Sequence, residues 1–280
     1  MQTPDGLGQR RPRRSDEETG RRMLDTAVAM VNRTGLTVSL DHISFEDVIR
    51  DAGVSRTAVY RRWPYKQMFF SDLLKERARA ATPAAAVNEE TGKALLRGVV
   101  AANGVDLTHP DARRALVVEL IRQGAVGDFE AVYRSTEWRT YLALHATFLS
   151  LAEGELRDEV QEALVRSERG FIERVAGAWQ RIATVLGYRL RADTGARFDT
   201  LATLATATLR GLVTMALSDP ELVDRRFSAD PGGTGSRSDW SLAALGAVGI
   251  AMTFLEPDPD VEWDDDRLAA LSTVLDAEAP

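Results

Sequence analysis

The sequence contains no cysteine, three histidines and ten prolines in 280 residues. Without cysteine there are no disulfides and no thiolate metal sites, which fits a reducing cytoplasm. His42, His109 and His145 fall in separate segments without metal-ligand spacing, and there is no HExxH. No strand precedes a glycine-rich phosphate loop. The carboxylates of "EWDDD" lack the spacing of a hard-cation loop and read as a solvated acidic tail. The sequence therefore predicts no metal, no cofactor and no enzyme. Long apolar runs are also missing. "LAALGAVGIAMTFL", from Leu242, is too short to span a bilayer and reads as a buried helix. The first twenty residues carry basic groups with no apolar stretch after them, so neither a secretory leader nor a twin-arginine signal is expected. These readings predict a cytoplasmic protein that makes no use of a membrane. No alternating strand pattern of useful length and no internal repeat is present, so the expected class is all-α.

What is present is an ordinary globular composition, 44% hydrophobic and 28% charged, in a chain long enough for two domains. The net charge of -7 hides an asymmetry. Residues 1–80 hold fifteen Lys/Arg against eleven Asp/Glu, while the remaining 200 hold twenty against thirty-one. A basic head on an acidic body suits a polyanion partner for the head alone. The basic groups are mostly arginine, 32 against three lysines.

Residues 1–15 are polar, contain "RRPRR" and read as a disordered basic arm. From Asp16 to Asn32 the residues Met23, Leu24, Ala27, Val28 and Val31 recur at helical spacing. Short helices are expected over Phe45–Ala52 and Ser55–Trp63, and a fourth from Tyr65 to the break at "ATPAAAV". Beyond residue 82, helices are expected at "GKALLRGVVAANGV", at "PDARRALVVELIRQG" with its early proline, and at "DFEAVYRSTEWRTYLALHATFLSLAEG". A long helix follows from Gly154, with Gly170 or Gly177 as sites for a bend, and two apolar helices lie over Asp199–Leu217 and Trp240–Leu255. "SADPGGTGSRSD" between them reads as a flexible loop.

Phe45, Val48, Ile49 and Ala52 follow i, i+3, i+4, i+7, so the first short helix buries one face. Ser44 with Asp47 is a weak capping box that fixes its start. In "AGVS", Gly53 can take the positive φ of a tight turn, Val54 plugs the angle and Ser55 N-caps the next helix. There Val54, Ala58 or Val59, and Trp63 face inward, which leaves Arg56, Thr57, Tyr60 and Arg61 outside. A helix of this kind fits the DNA major groove, where Arg can bond guanine O6/N7 and a Thr methyl can touch thymine. Tyr60, Lys66 and the Ser44 hydroxyl are placed for phosphates. The spacing alone also allows a helical hairpin with a solvated basic face.

The residues Ala52-Gly53-Val54-Ser55, Val59-Tyr60, Trp63 and Lys66 together resemble the DNA-binding signature of the TetR family of bacterial transcriptional regulators. With the helix before it the resemblance covers roughly residues 17–80. It implies an N-terminal three-helix helix-turn-helix head, with Arg56, Thr57 and Arg61 at base-contacting positions, Tyr60 and Lys66 at phosphates, and Ser44 opening the helix before the turn. Ser55 opens the recognition helix itself. The sequence departs from the pattern in a longer loop between Gly35 and Ser44, in Tyr65 before the lysine, and in Glu46, a carboxylate near the phosphates. Arg13 and Arg14 in the arm have the composition of minor-groove contacts, or of a solubilising tail.

The resemblance also implies that residues 82–280 form a larger helical bundle that binds a small-molecule effector and dimerises. The segments 199–217 and 240–255 are apolar nearly all round, which suits either a homodimer interface or a monomer's core. Trp138, Tyr141, His145 and Phe148 form an aromatic stripe that Trp179 and Phe171 could face. With Arg122, polar on an apolar segment beside Glu119, these give Arg122, Trp138, Tyr141, His145 and Trp179 as effector-binding candidates, although such stripes also serve as plain core. The expected protein is a homodimeric, operator-binding regulator, a repressor in the first reading. Its alternatives are a DNA-binding dimer controlled by a partner protein and an all-α enzyme with an incidental basic face.

Overall fold

Burial at helical spacing builds the first unit. The structure is a computed structural model that describes residues 15–34, 43–80, 89–103, 107–264 and 267. Helix α1 (Asp16–Thr34) opens behind Ser15, whose Oγ accepts the Glu18 N–H at 3.0 Å, and three carboxylates fill its first turn. It buries Met23, Ala27 and Val31. Helix α2 (Phe45–Ala52) buries Phe45, Val48, Ile49 and Ala52, and the Ser44 Oγ accepts the Asp47 N–H at 3.3 Å. Gly53 then takes φ +60°, the left-handed conformation that ends the helix. Helices α3 (Arg56–Arg62) and α4 (Lys66–Ala80) follow. Val59, Trp63, Phe69 and Leu73 complete a core with the residues of α1 and α2.

The described residues fall into two compact units, Met1–Ala81 with Arg139–Val165, and Thr82–Trp138 with Arg166–Pro280. The segment Arg139–Val165 groups with the head because α4 carries further apolar positions. Leu74 and Ala78 are buried with Leu144, Val160, Ala163 and Leu164 of α7 (Thr136–Leu149) and α8 (Glu155–Val185). Lys75 Nζ reaches Glu159 at 2.7 Å.

The second unit contains α5 (Glu89–Asn103), α6 (Pro110–Arg134), α9 (Phe198–Ser218) and α11 (Leu242–Phe254), with the short α10 (Glu221–Asp224). Helix α6 corrects the sequence reading. It runs unbroken for 25 residues through Gly124 and Gly127, where two segments had been expected. At Gly124 the missing side chain makes room for Leu95, 3.3 Å from where a Cβ would stand, so the glycine serves packing and not a break. The actual stop is Ser135, whose Oγ accepts the Trp138 N–H at 3.0 Å and opens α7. Likewise α8 continues through Gly170 and Gly177 for 31 residues.

The fold is all-α, but the described residues carry four strands of three or four residues, too short to show alternation. β1 (Tyr188–Leu190) pairs antiparallel with β4 (Leu255–Pro257), and β2 (Arg226–Ala229) with β3 (Ser238–Ser241). The stretch expected as a flexible loop is therefore a hairpin. Asp230 closes it by accepting the N–H groups of Thr234 and Gly235, each at 2.8 Å, and these bonds hold its carboxyl below the usual carboxylate range. Trp240, expected to start the last apolar helix, lies in β3 and donates to the Ala229 carbonyl at 3.1 Å.

Helix α9 is long and apolar enough to cross a bilayer by length and composition, the one such helix among the described residues. It packs on α11 within the second unit. A Cβ on Gly246 would stand 2.8 Å from Thr208 Cγ2. Thr208 cannot easily turn away, because its Oγ1 donates to the Leu204 carbonyl at 2.9 Å. A Cβ on Gly249 would meet nothing within 4 Å beyond its own helix. Gly246→Ala should therefore destabilise by about 1–3 kcal/mol through overpacking. Gly249→Ala should stabilise by up to about 1 kcal/mol through helix propensity. Urea unfolding of both variants checks this; equal effects would place the α9–α11 contact elsewhere.

Candidate nucleic-acid interface

The exposed face of α3 is fixed by what the helix buries. Val59 and Trp63, four residues apart, are 0% and 2% exposed, which turns Arg56, Thr57, Tyr60 and Arg61 outward. Ser55 stands at the N-cap with φ -73° and no side-chain cap hydrogen bond, so its exposed hydroxyl is not engaged in capping. Lys66 is exposed at the start of α4, as is Ser44 before α2. The Ser44 oxygen already accepts from Asp47, which leaves its hydroxyl proton for another acceptor. Seven of the nine residues expected to contact DNA are thus solvent-facing. Arg13 and Arg14 lie outside the described residues, as does most of the loop before Ser44.

The outward cations are not bare. Glu46 Oε2 forms an ion pair with Arg56 Nη2 at 2.7 Å, and its Oε1 accepts from the Tyr60 hydroxyl at 2.8 Å. The Tyr60 ring stands edge-on to Phe45 at 5.8 Å. The hydrogen bond to Glu46, aided by desolvation, raises the Tyr60 phenol above its ordinary pKa. Arg61 pairs with Asp16 of α1. Sequence reading placed Glu46 near phosphates and passed over Asp16, which is 45 residues from its partner. Arg62 is structural: its guanidinium lies over the Trp63 ring at 5.1 Å and runs where a Cβ on Gly20 would collide at 2.9 Å. Arg22 Nε donates to the Ala52 carbonyl at 3.1 Å and ties α1 to the turn.

The second unit holds a partly open cavity of about 410 Å³. Leu95, Ile121, Val175, Trp179, Leu209 and Ile250 represent its mainly apolar wall, drawn from α5, α6, α8, α9 and α11. Its polar points include Gln123, Asp128, Thr206, Thr208 and Arg210. Arg210 Nη1 donates to both Glu168 oxygens at 2.7 and 3.0 Å, and its guanidinium lies over Trp138 and Phe171 at 5.3 and 5.0 Å.

Of the five effector candidates, Trp179 lines this cavity. Trp138 instead supports Arg210 from beneath. Arg122 is held by both oxygens of Glu119, at 2.7 and 2.6 Å, and by the Asp239 carbonyl at 3.3 Å. This pairing holds Glu119 low and Arg122 high. Tyr141 and His145 belong to the first unit, with ring centroids 4.2 Å apart and His145 Nδ1 3.1 Å from the Tyr141 carbonyl. Sequence reading passed over Asp128 and Arg210; the signal available for Arg210 was a cation midway along an apolar segment.

No family model matches the chain. Over 84 residues, 30% of the chain, it is 31% identical to an uncharacterized HTH-type transcriptional regulator of Mycobacterium bovis, of which the match covers 42%. Over 83 residues it is 34% identical to the HTH-type transcriptional regulator AqdR of Rhodococcus erythropolis, covering 38% of that protein. The chain thus matches less than half the length of these curated relatives. The solved structure of SmeT, the repressor of the Stenotrophomonas maltophilia multidrug efflux pump SmeDEF, aligns with 88% of this chain and 96% of its own. The identity is 20% and the TM-score 0.37, too loose an overlay to argue from. The names of these relatives agree with the helix-turn-helix that Phe45–Arg62 forms.

For duplex DNA laid on the α3 face, Arg56→Ala or Arg61→Ala should relax preference at particular base pairs. The cost is about 1–3 kcal/mol for a bidentate contact. Lys66→Ala should weaken all sequences alike and flatten the salt dependence by about one unit of slope. Binding titrations over several salt concentrations and sequences separate the two. A change of sequence preference from Lys66→Ala alone would mean that the faces are misassigned.

Proposed function

We propose that this chain is a TetR-like, sequence-specific DNA-binding transcriptional regulator, a repressor in its simplest form, which works as a homodimer in the cytoplasm and is switched by a small molecule. The observation that carries the reading is the outer face of α3: Arg56, Thr57, Tyr60 and Arg61 project from a helix locked behind by Val59 and Trp63, directly after a left-handed glycine turn. Helices so presented enter the major groove. The regulators that the chain matches in sequence carry the same class of name.

A single helix-turn-helix reads few base pairs, and a two-fold dimer doubles the reading. Support for a dimer comes from α9, which leaves Leu204, Gly211 and Met215 exposed at spacings of seven and four, hence on one face. Gly249 of α11 is likewise open. The effector site in this reading is the 410 Å³ cavity, a volume within the usual range for small-molecule pockets. The ligand acts by favouring one arrangement of the paired heads, and only as far as its affinity differs between the two states.

Selection of bound duplexes from a random pool is the direct test, with enrichment of a two-fold sequence expected and no enrichment defeating the reading. For assembly, Gly249→Asp is the apt variant, since Gly246 is already occupied within the chain. It should stay folded and sediment as a monomer, and it should lose specific DNA affinity although the head is unaltered. A variant that remains dimeric and binds normally moves the interface off α11.

A further inference from the structure

Glu46 does something that a phosphate-facing position would not predict. It sits in the first turn of α2, yet both of its oxygens are spent on α3: Oε2 on Arg56 and Oε1 on Tyr60. Arg56 and Tyr60 are four residues apart and so share a face, and one carboxylate spans both. The Arg56 and Glu46 side chains are 73% and 46% exposed, so the pair adds little to folding stability. Its consequence lies in which groups it keeps from other partners. The Arg56 charge is balanced by the carboxylate, and the single proton that Tyr60 could donate to a phosphate is already engaged.

We infer that Glu46 is a specificity-determining positioning residue, which withholds Arg56 and Tyr60 from sequence-blind phosphate contacts and releases them to a site that offers better acceptors. The inference rests on the DNA-binding reading of α3. On arbitrary DNA a lone phosphate competes with Glu46 for Arg56, while the Glu46 charge itself repels the backbone. A guanine presents O6 and N7 together and can engage Arg56 bidentately. Its remaining N–H groups can stay on Glu46, because the guanidinium has five. The carboxylate therefore penalises wrong sequences more than the right one, which is how a repulsive element builds discrimination.

The test uses the full chain, the duplex selected from the random pool, and a scrambled duplex of equal length. Glu46→Gln keeps the shape and removes the charge. It should tighten scrambled DNA more than selected DNA, so that their affinity ratio falls about tenfold. It should also steepen the salt dependence on scrambled DNA by about one unit of slope. In an Arg56→Ala/Tyr60→Phe background the same change should leave the ratio almost unaltered. If Glu46→Gln tightens both duplexes equally, or lowers the ratio just as much in that background, Glu46 is only a surface charge and the inference falls.

A second measurement needs no DNA. The Tyr60 phenol, identified by the signal lost in Tyr60→Phe, should titrate above ordinary tyrosine in the wild type and move down in Glu46→Gln. No movement means that the contact is absent in solution and sinks the inference whatever the DNA result. A wild type that selects no sequence but shows the tyrosine shift fails the functional reading, and with it any role for Glu46 in specificity.

Discussion

The head depends on the indole of Trp63. It is buried edge-on against Phe69 at 5.1 Å, donates to Asp72 at 2.9 Å and carries Arg62 over its ring. Removing such a side chain from a core typically costs about 3–5 kcal/mol. The geometric effect matters as much as the energy. Because Val59 and Trp63 are both held inside, α3 cannot rotate about its axis, and the direction of every outward residue follows from that lock. Gly53 fixes where α3 begins, since its left-handed conformation is strained for any residue with a side chain.

On that rigid frame the charges are arranged for restraint. The basic excess of residues 1–80 is modest, and two of the cations that face outward are already matched by Glu46 and Asp16. Exposed ion pairs of this kind contribute little to stability and are weakened by salt. They are inexpensive to break when something better arrives. Strength in the core and weakness at the surface are complementary: the first presents the side chains, the second leaves them exchangeable.

Local periodicity made the head legible. Phe45, Val48, Ile49 and Ala52 mark α2 from end to end, and Gly53 marks its stop. Where local signals misled, tertiary packing had overruled them. Gly124 looked like a terminator and is a seat for Leu95. Asp230, in a run of glycine and serine, looked like part of a loose loop and is the clasp of a hairpin. The cavity was the least legible feature. Its wall takes residues from five helices spread over 160 positions, and most of its apolar members read singly as ordinary core, Trp179 alone having been named as an effector candidate. The pairing of Arg61 with Asp16 was hidden for the same reason, since no periodicity links positions 45 apart.

The ion pair in the cavity wall has one more implication. Arg210 lines the space with its counter-charge, Glu168, already seated on it at 2.7 Å. A guest that brings its own carboxylate must share that guanidinium and crowd a second anion beside Glu168. A neutral guest disturbs nothing and gains from the apolar surface around it. Under the proposed effector reading, the wall would favour an oily, uncharged guest over an acid of the same bulk.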